Sequence, residues 1–66
     1  MNTVADMSRI EEALAVIPAH DRSTWVRMGM AVKSELDDAG FVLWDSWSKK
    51  AGNYKERDAM AVWRSL

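Results

Sequence analysis

The densest run of chemically capable side chains is Ser46-Trp47-Ser48-Lys49-Lys50-Ala51-Gly52-Asn53-Tyr54-Lys55-Glu56-Arg57. Lys49, Lys50, Lys55 and Arg57 supply charge, Tyr54 and Trp47 supply rings, and Gly52 marks a turn between two periodic segments. Cations beside an aromatic ring suit a nucleic-acid strand or a nucleotide. The charges meet phosphates, and a ring stacks on a base for about 1–3 kcal/mol. The free amides at the start of the following helix would add donors for a phosphate. The same composition is common on solvated surfaces, with Tyr54 packed over the turn. On side-chain chemistry alone that plainer reading has the edge.

No constellation for catalysis is present. Glu11–Glu12 and Asp37–Asp38 are adjacent pairs, and on a helix neighbours diverge by about 100°, so neither pair converges on a metal. Asp45 is expected to form a salt bridge to a neighbouring helix, and His20 to be an exposed turn residue. There is no cysteine, hence no disulfide and no thiolate metal site. The three glycines are isolated, which excludes a glycine-rich phosphate loop. Gly40 would fit a helix-turn-helix, but the following segment opens Phe41-Val42-Leu43-Trp44 and lacks the Arg, Asn or Gln that reads base edges. Catalytic residues and metal ligands are therefore expected to be absent, and no enzyme activity is expected of these residues.

Charge is unevenly placed. Residues 1–45 hold four basic and eight acidic side chains, whereas residues 46–66 hold five basic and two acidic, within a net charge of −1. The basic end points to an anionic partner. Charged residues break every apolar run well short of the ~20 residues a membrane span needs. With no secretory segment visible, a cytoplasmic location without membrane contact is expected.

Four helices must position these groups, and no strand is expected. The 66 residues are treated as one domain, an all-α compact four-helix bundle with helices at about 8–17, 23–38, 42–51 and 54–65. Ser8 and Glu11 form a capping-box pattern before the apolar face Ile10, Ala13, Leu14 and Ile17, and Pro18 stops that helix. Asp21 or Ser23 caps the second helix, and Gly40 ends it in the left-handed C′ position. Trp25, Met28, Gly29, Val32 and Leu36 share one stripe of this helix, with Val26 and Met30 on its flank. Gly29 is there despite costing about 1 kcal/mol relative to alanine, which predicts close approach of an indole or another helix. Phe41, Trp44, Trp47 and Ala51 share a face of the third helix. Ala59, Met60 and Trp63 face inward on the fourth, which Asn53 caps with Glu56. By spacing, Trp25, Trp44, Trp47 and Trp63 with Gly29 form the core. For Trp47 an exposed stacking role beside Lys49–Lys50 is the less favoured alternative.

Trp25-x-x-Met28-Gly29-Met30-Ala31-Val32-Lys33, Gly40-Phe41-x-Leu43-Trp44-Asp45-x-Trp47-Ser48, Tyr54 and Trp63-Arg64-Ser65 together resemble the second type of primase C-terminal domain. These are small helical domains attached to primases and primase–helicases of phages, plasmids and integrated elements. The resemblance spans residues 8–66, and Gly40 to Ser48 is its most specific part. It implies a non-catalytic replication module that assists binding of single-stranded DNA template or of the initiating nucleotide. ATP or a dNTP would be a bound nucleotide, and no other cofactor is implied. Lys49, Lys50, Tyr54, Lys55 and Arg57 are the expected contacts, and the implied partner is a catalytic primase, polymerase or helicase domain or subunit. The family often has serine at Ala51 and lysine at Asn53, and the missing lysine removes one expected phosphate contact. The alternative function is protein–protein docking without nucleic-acid contact, through Val26, Met30 and Val42.

Overall fold

In the computed structural model the described residues are 3–66, with side chains from Ala5 onward. They are all-helical and include no strand. Helix α1 spans Thr3–Ala15, α2 Arg22–Leu36, α3 Phe41–Ser48 and α4 Glu56–Ser65. A 3-10 turn, Asp37–Gly40, joins α2 directly to α3. The helical elements thus fall into three stretches of chain, 3–15, 22–48 and 56–65, the second bent at Asp37, rather than four separated helices.

The ends of these helices correct several expectations. Ser8 lies inside α1, so the Ser8–Glu11 pair is not its start. That helix ends at Ala15, short of Ile17, because Pro18 disfavours α-helical backbone in the residue before it. Ile17 N–H instead closes a turn onto the Leu14 carbonyl at 3.0 Å. Of the two candidate caps for α2, Asp21 is the one used. Its carboxylate accepts from the Thr24 N–H at 2.9 Å and the Thr24 hydroxyl at 2.8 Å. The bond from the Thr24 N–H, then that from its hydroxyl, holds the Asp21 carboxyl below its ordinary range.

Helix α2 stops at Leu36, not at 38, and the residue that breaks it is Asp37, with φ 55 and ψ −145. Gly40 is not a left-handed cap: its φ is −78. It is required by packing, since a Cβ there would meet Val32 Cγ1 at 2.6 Å and the Val32 carbonyl oxygen at 3.2 Å. The 3-10 turn folds α3 back along α2. Trp25 meets Ser48, Gly29 meets Trp44 and Val32 meets Gly40, a register that runs antiparallel.

Helix α3 ends at Ser48 rather than Ala51, and Lys49–Gly52 form turns. Asn53 does not cap α4: Lys55 is the N-cap residue, without a side-chain cap, and the Asn53 amide donates to the His20 carbonyl at 3.4 Å. On α4, Ala59 and Trp63 are buried with Val62 and Leu66 packed beside them, whereas Met60 is exposed.

The core comprises Leu14, Trp25, Val32, Trp44, Trp47, Ala59 and Trp63, with Trp44 at 0% exposure. Trp44 stacks on Trp25 at 4.7 Å between centroids and lies 5.4 Å from Trp63, which meets Phe41 edge-on at 5.5 Å. Such pairs add about 0.5–1.5 kcal/mol each beyond area burial. Among the described residues no buried polar side-chain atom lacks a partner.

Candidate nucleic-acid interface

The segment Gly40–Ser48 is a packing lock that fixes where the basic turn begins. The Trp44 indole N–H donates to the Trp25 carbonyl at 3.0 Å. In return the Trp25 indole N–H donates to Ser48 Oγ at 2.6 Å, and the Ser48 hydroxyl donates to the Trp44 carbonyl at 2.6 Å. Each tryptophan thus satisfies its N–H on the backbone of the other's helix, directly or through Ser48. Gly29 makes this possible. In a helix the Cβ of residue i+4 tilts back toward the carbonyl of residue i, and a Cβ on Gly29 would lie 3.0 Å from Trp44 Cε2. Trp47 completes the lock by donating to the Ile17 carbonyl at 2.9 Å. At 4% exposure its ring has no free face for a base. Ser48, 1% exposed, likewise leaves the candidate binding run and becomes a core relay.

Beyond Ser48 the chain turns, and Asp45 governs the turn. Its Oδ1 accepts the Tyr54 hydroxyl at 2.6 Å, and its Oδ2 pairs with Lys49 Nζ at 3.4 Å. Instead of the expected salt bridge to a neighbouring helix, Asp45 pairs with Lys49, the C-cap residue of its own helix, four residues on. Hydrogen bonding to Asp45, then burial, pushes the Tyr54 phenol up to about 12. Tyr54 is half-buried and neutral, its hydroxyl already engaged.

The remaining cations have more freedom. Lys50, Lys55 and Arg57 are exposed and form no ion pair among the described residues. Lys50 and Lys55 line two adjoining hollows between the 16–21 linker and the 49–55 turn, whereas Arg57 lies in the first turn of α4 and lines neither. The smaller, about 60 Å³, is lined in part by Arg22, Asn53, Tyr54 and Lys55. The larger and more open, about 330 Å³, is lined in part by Pro18, His20, Trp47 and Lys50. Ala19 and Ala51 belong to both. Glu56 and Asp58 sit in the first turn of α4, where their charge opposes an incoming phosphate at the helix amides.

Sequence reading missed Arg22 and Asp58. Arg22 Nη1 and Nη2 hold the Asp58 carboxylate at 3.0 and 3.3 Å, joining the first turns of α2 and α4. Hydrogen bonding to Arg22 lowers the Asp58 pKa, and the same bond raises that of Arg22. No local pattern signals this pair, whose members are 36 residues apart. The three apolar residues considered for docking do not form one patch. Val26 packs against the core, Met30 lies beside Lys33 and Leu66, and Val42 lies beside Glu11 and Leu14 of α1.

The described residues include no group of three or more His, Asp or Glu that could hold a metal ion. None of their helices is long and apolar enough to cross a membrane. Among the described residues the fold is an all-helical module locked by tryptophans, with a basic turn between α3 and α4. The family model Primase C terminal 2 (PriCT-2) matches residues 10–66. The chain belongs to that family, which makes this a primase-associated C-terminal module. No curated protein and no solved structure is significantly similar to it.

Proposed function

We propose that this domain is a non-catalytic accessory module of a DNA-replication primase or primase–helicase, and that it holds single-stranded template beside the catalytic domain. The observation that carries this reading is the pair of unpaired cations Lys50 and Lys55 lining the adjoining hollows at the α3–α4 turn, with unpaired Arg57 exposed in the first turn of α4. A flexible, polyanionic strand needs a row of free cations and open ends, which shallow adjoining hollows supply. An initiating nucleotide, ATP or a dNTP, is the competing ligand of the same surface, and no resident cofactor is part of this proposal. Of the five candidate contacts, Lys50, Lys55 and Arg57 meet phosphate directly. Lys49 and Tyr54 act mainly by shaping the turn through Asp45.

An amide chemical-shift titration with oligothymidylate and with ATP tests this. Shifts from the strand should cluster at residues 18–22 and 49–57. Shifts produced by ATP alone would move the role to nucleotide binding. No shift with either ligand at high micromolar concentration overturns the proposal.

The docking alternative rests on exposed Val42, at 68%, and Met30, at 55%. Capture of a catalytic primase fragment that Met30→Asp or Val42→Asp abolishes, and Lys50→Glu leaves intact, would favour it.

A further inference from the structure

The smaller hollow, between the first turns of α2 and α4, has a composition the basic turn alone does not explain. Its cations come from two separate elements: Arg22 from α2 and Lys55 from the residue preceding α4. Asn53 adds an amide, and Asp58 is the only carboxylate in its lining. At about 60 Å³ it is far smaller than the ~300–1,000 Å³ of sites that enclose whole small molecules. It has room for a small polyatomic anion. The Arg22 guanidinium is also held in place before any ligand arrives. Asp58 grips two of its nitrogens, and its carbon lies 5.3 Å from the centroid of the Trp25 ring. Since arginine carries five N–H donors, further donors remain for an anion in the hollow.

We propose that this hollow is a single-phosphate subsite, with Arg22 and Lys55 as its binding residues and Asp58 as a positioning residue that orients Arg22. This deepens the strand-binding proposal above and rests on it. The ligand chemistry is one phosphate group, supplied by a strand backbone or by a nucleotide. The larger hollow across Ala19 and Ala51 would take the adjoining base and sugar. Asp58 orients Arg22 through an acceptor oxygen that asparagine keeps, while its negative charge competes with the phosphate, so Asp58→Asn retains the orientation and removes the competition.

The test measures fluorescence anisotropy of labelled oligothymidylate against salt, with ATP and inorganic phosphate as competitors. It compares Arg22→Gln, Lys55→Gln, Asp58→Asn, Glu56→Gln and Lys50→Gln. Melting curves by circular dichroism confirm that each variant is folded. Arg22→Gln and Lys55→Gln should each weaken strand binding several-fold, and removing both should reduce the log–log salt slope by about 0.7, the single-strand value for the one phosphate they share. Asp58→Asn should tighten binding several-fold, and more than Glu56→Gln, which removes the same charge from the neighbouring exposed position. A merely structural Arg22–Asp58 pair predicts no such tightening.

Competition by ATP that Arg22→Gln weakens, with strand binding unaffected, would keep the subsite and assign its phosphate to a nucleotide. An unchanged affinity and slope in Arg22→Gln, while Lys50→Gln still weakens the strand, would overturn the subsite and leave the wider interface standing. Absence of binding by wild type to every probe would overturn both.

Discussion

Ser48 shows how a residue that looks suited to binding becomes structural once its surroundings are fixed. Its hydroxyl is the only link between the Trp25 indole and the Trp44 carbonyl. Ser48→Ala should therefore destabilise the fold by about 1–3 kcal/mol, the usual range for stranding a buried donor, as measured by urea unfolding followed through tryptophan fluorescence. Burial of the four tryptophans was legible from helical spacing, because each recurs on an apolar face. The role of Ser48 was not, because it depends on the register between two helices, which no local pattern encodes. Asp45 is a similar case: its partner Lys49, at the C-cap of α3, lies at helical spacing, but its bond to Tyr54 requires the turn. The Tyr54 phenol titrates at about 12 in the folded chain, above its ordinary 10.0. Folding favours the neutral form, so this contribution is fully present below pH 10 and is lost as pH rises toward 12. Tyr54→Phe should flatten the fall in melting temperature across that window. An unchanged pH profile would show that the Tyr54–Asp45 bond does not couple to folding.

Among the elements, the α2–α3 hairpin carries the most information. The existence of both helices and a close approach at Gly29 could be read from the chain, and the cap was narrowed to Asp21 or Ser23. The helix break could not. Gly40 looked like the terminating glycine, yet Asp37 adopts the positive φ and Gly40 is needed for close packing on Val32. Two substitutions separate these roles. Asp37→Gly relieves a backbone conformation that costs of order 1–3 kcal/mol for a residue with a Cβ. After the entropy of a more flexible unfolded chain is offset, it should stabilise the protein by about 1 kcal/mol. Gly40→Ala should destabilise it by about 1–3 kcal/mol through overpacking, because both Val32 and its backbone stand in the way. At Gly29, alanine would gain about 1 kcal/mol of helix propensity. Trp44 is pinned by its hydrogen bond and by stacking on Trp25, so it cannot yield, and Gly29→Ala should also be net destabilising. Thermal unfolding of the three variants checks the signs. A stabilised Gly40→Ala would refute the packing account.

For the molecule as a whole, sequence located the basic end and the family, but not the shape of the surface. The excess of cations after residue 45 is real in sequence, but folding redistributes it. Lys49 is absorbed by Asp45, Arg22 joins from the otherwise acidic part of the chain, and Glu56 and Asp58 lie close by. These groupings arise from helix ends and turns meeting in space, so composition alone could not give them.

The central claim, strand binding through the unpaired cations, is tested most directly by the salt dependence of single-stranded DNA affinity. Wild type is compared with the triple variant Lys50→Gln/Lys55→Gln/Arg57→Gln and with Lys49→Gln. Three phosphate contacts at about 0.7 each predict a slope near −2 that largely disappears in the triple variant, while Lys49→Gln changes it little. A slope near zero in wild type, or one the triple variant leaves intact, would contradict the claim.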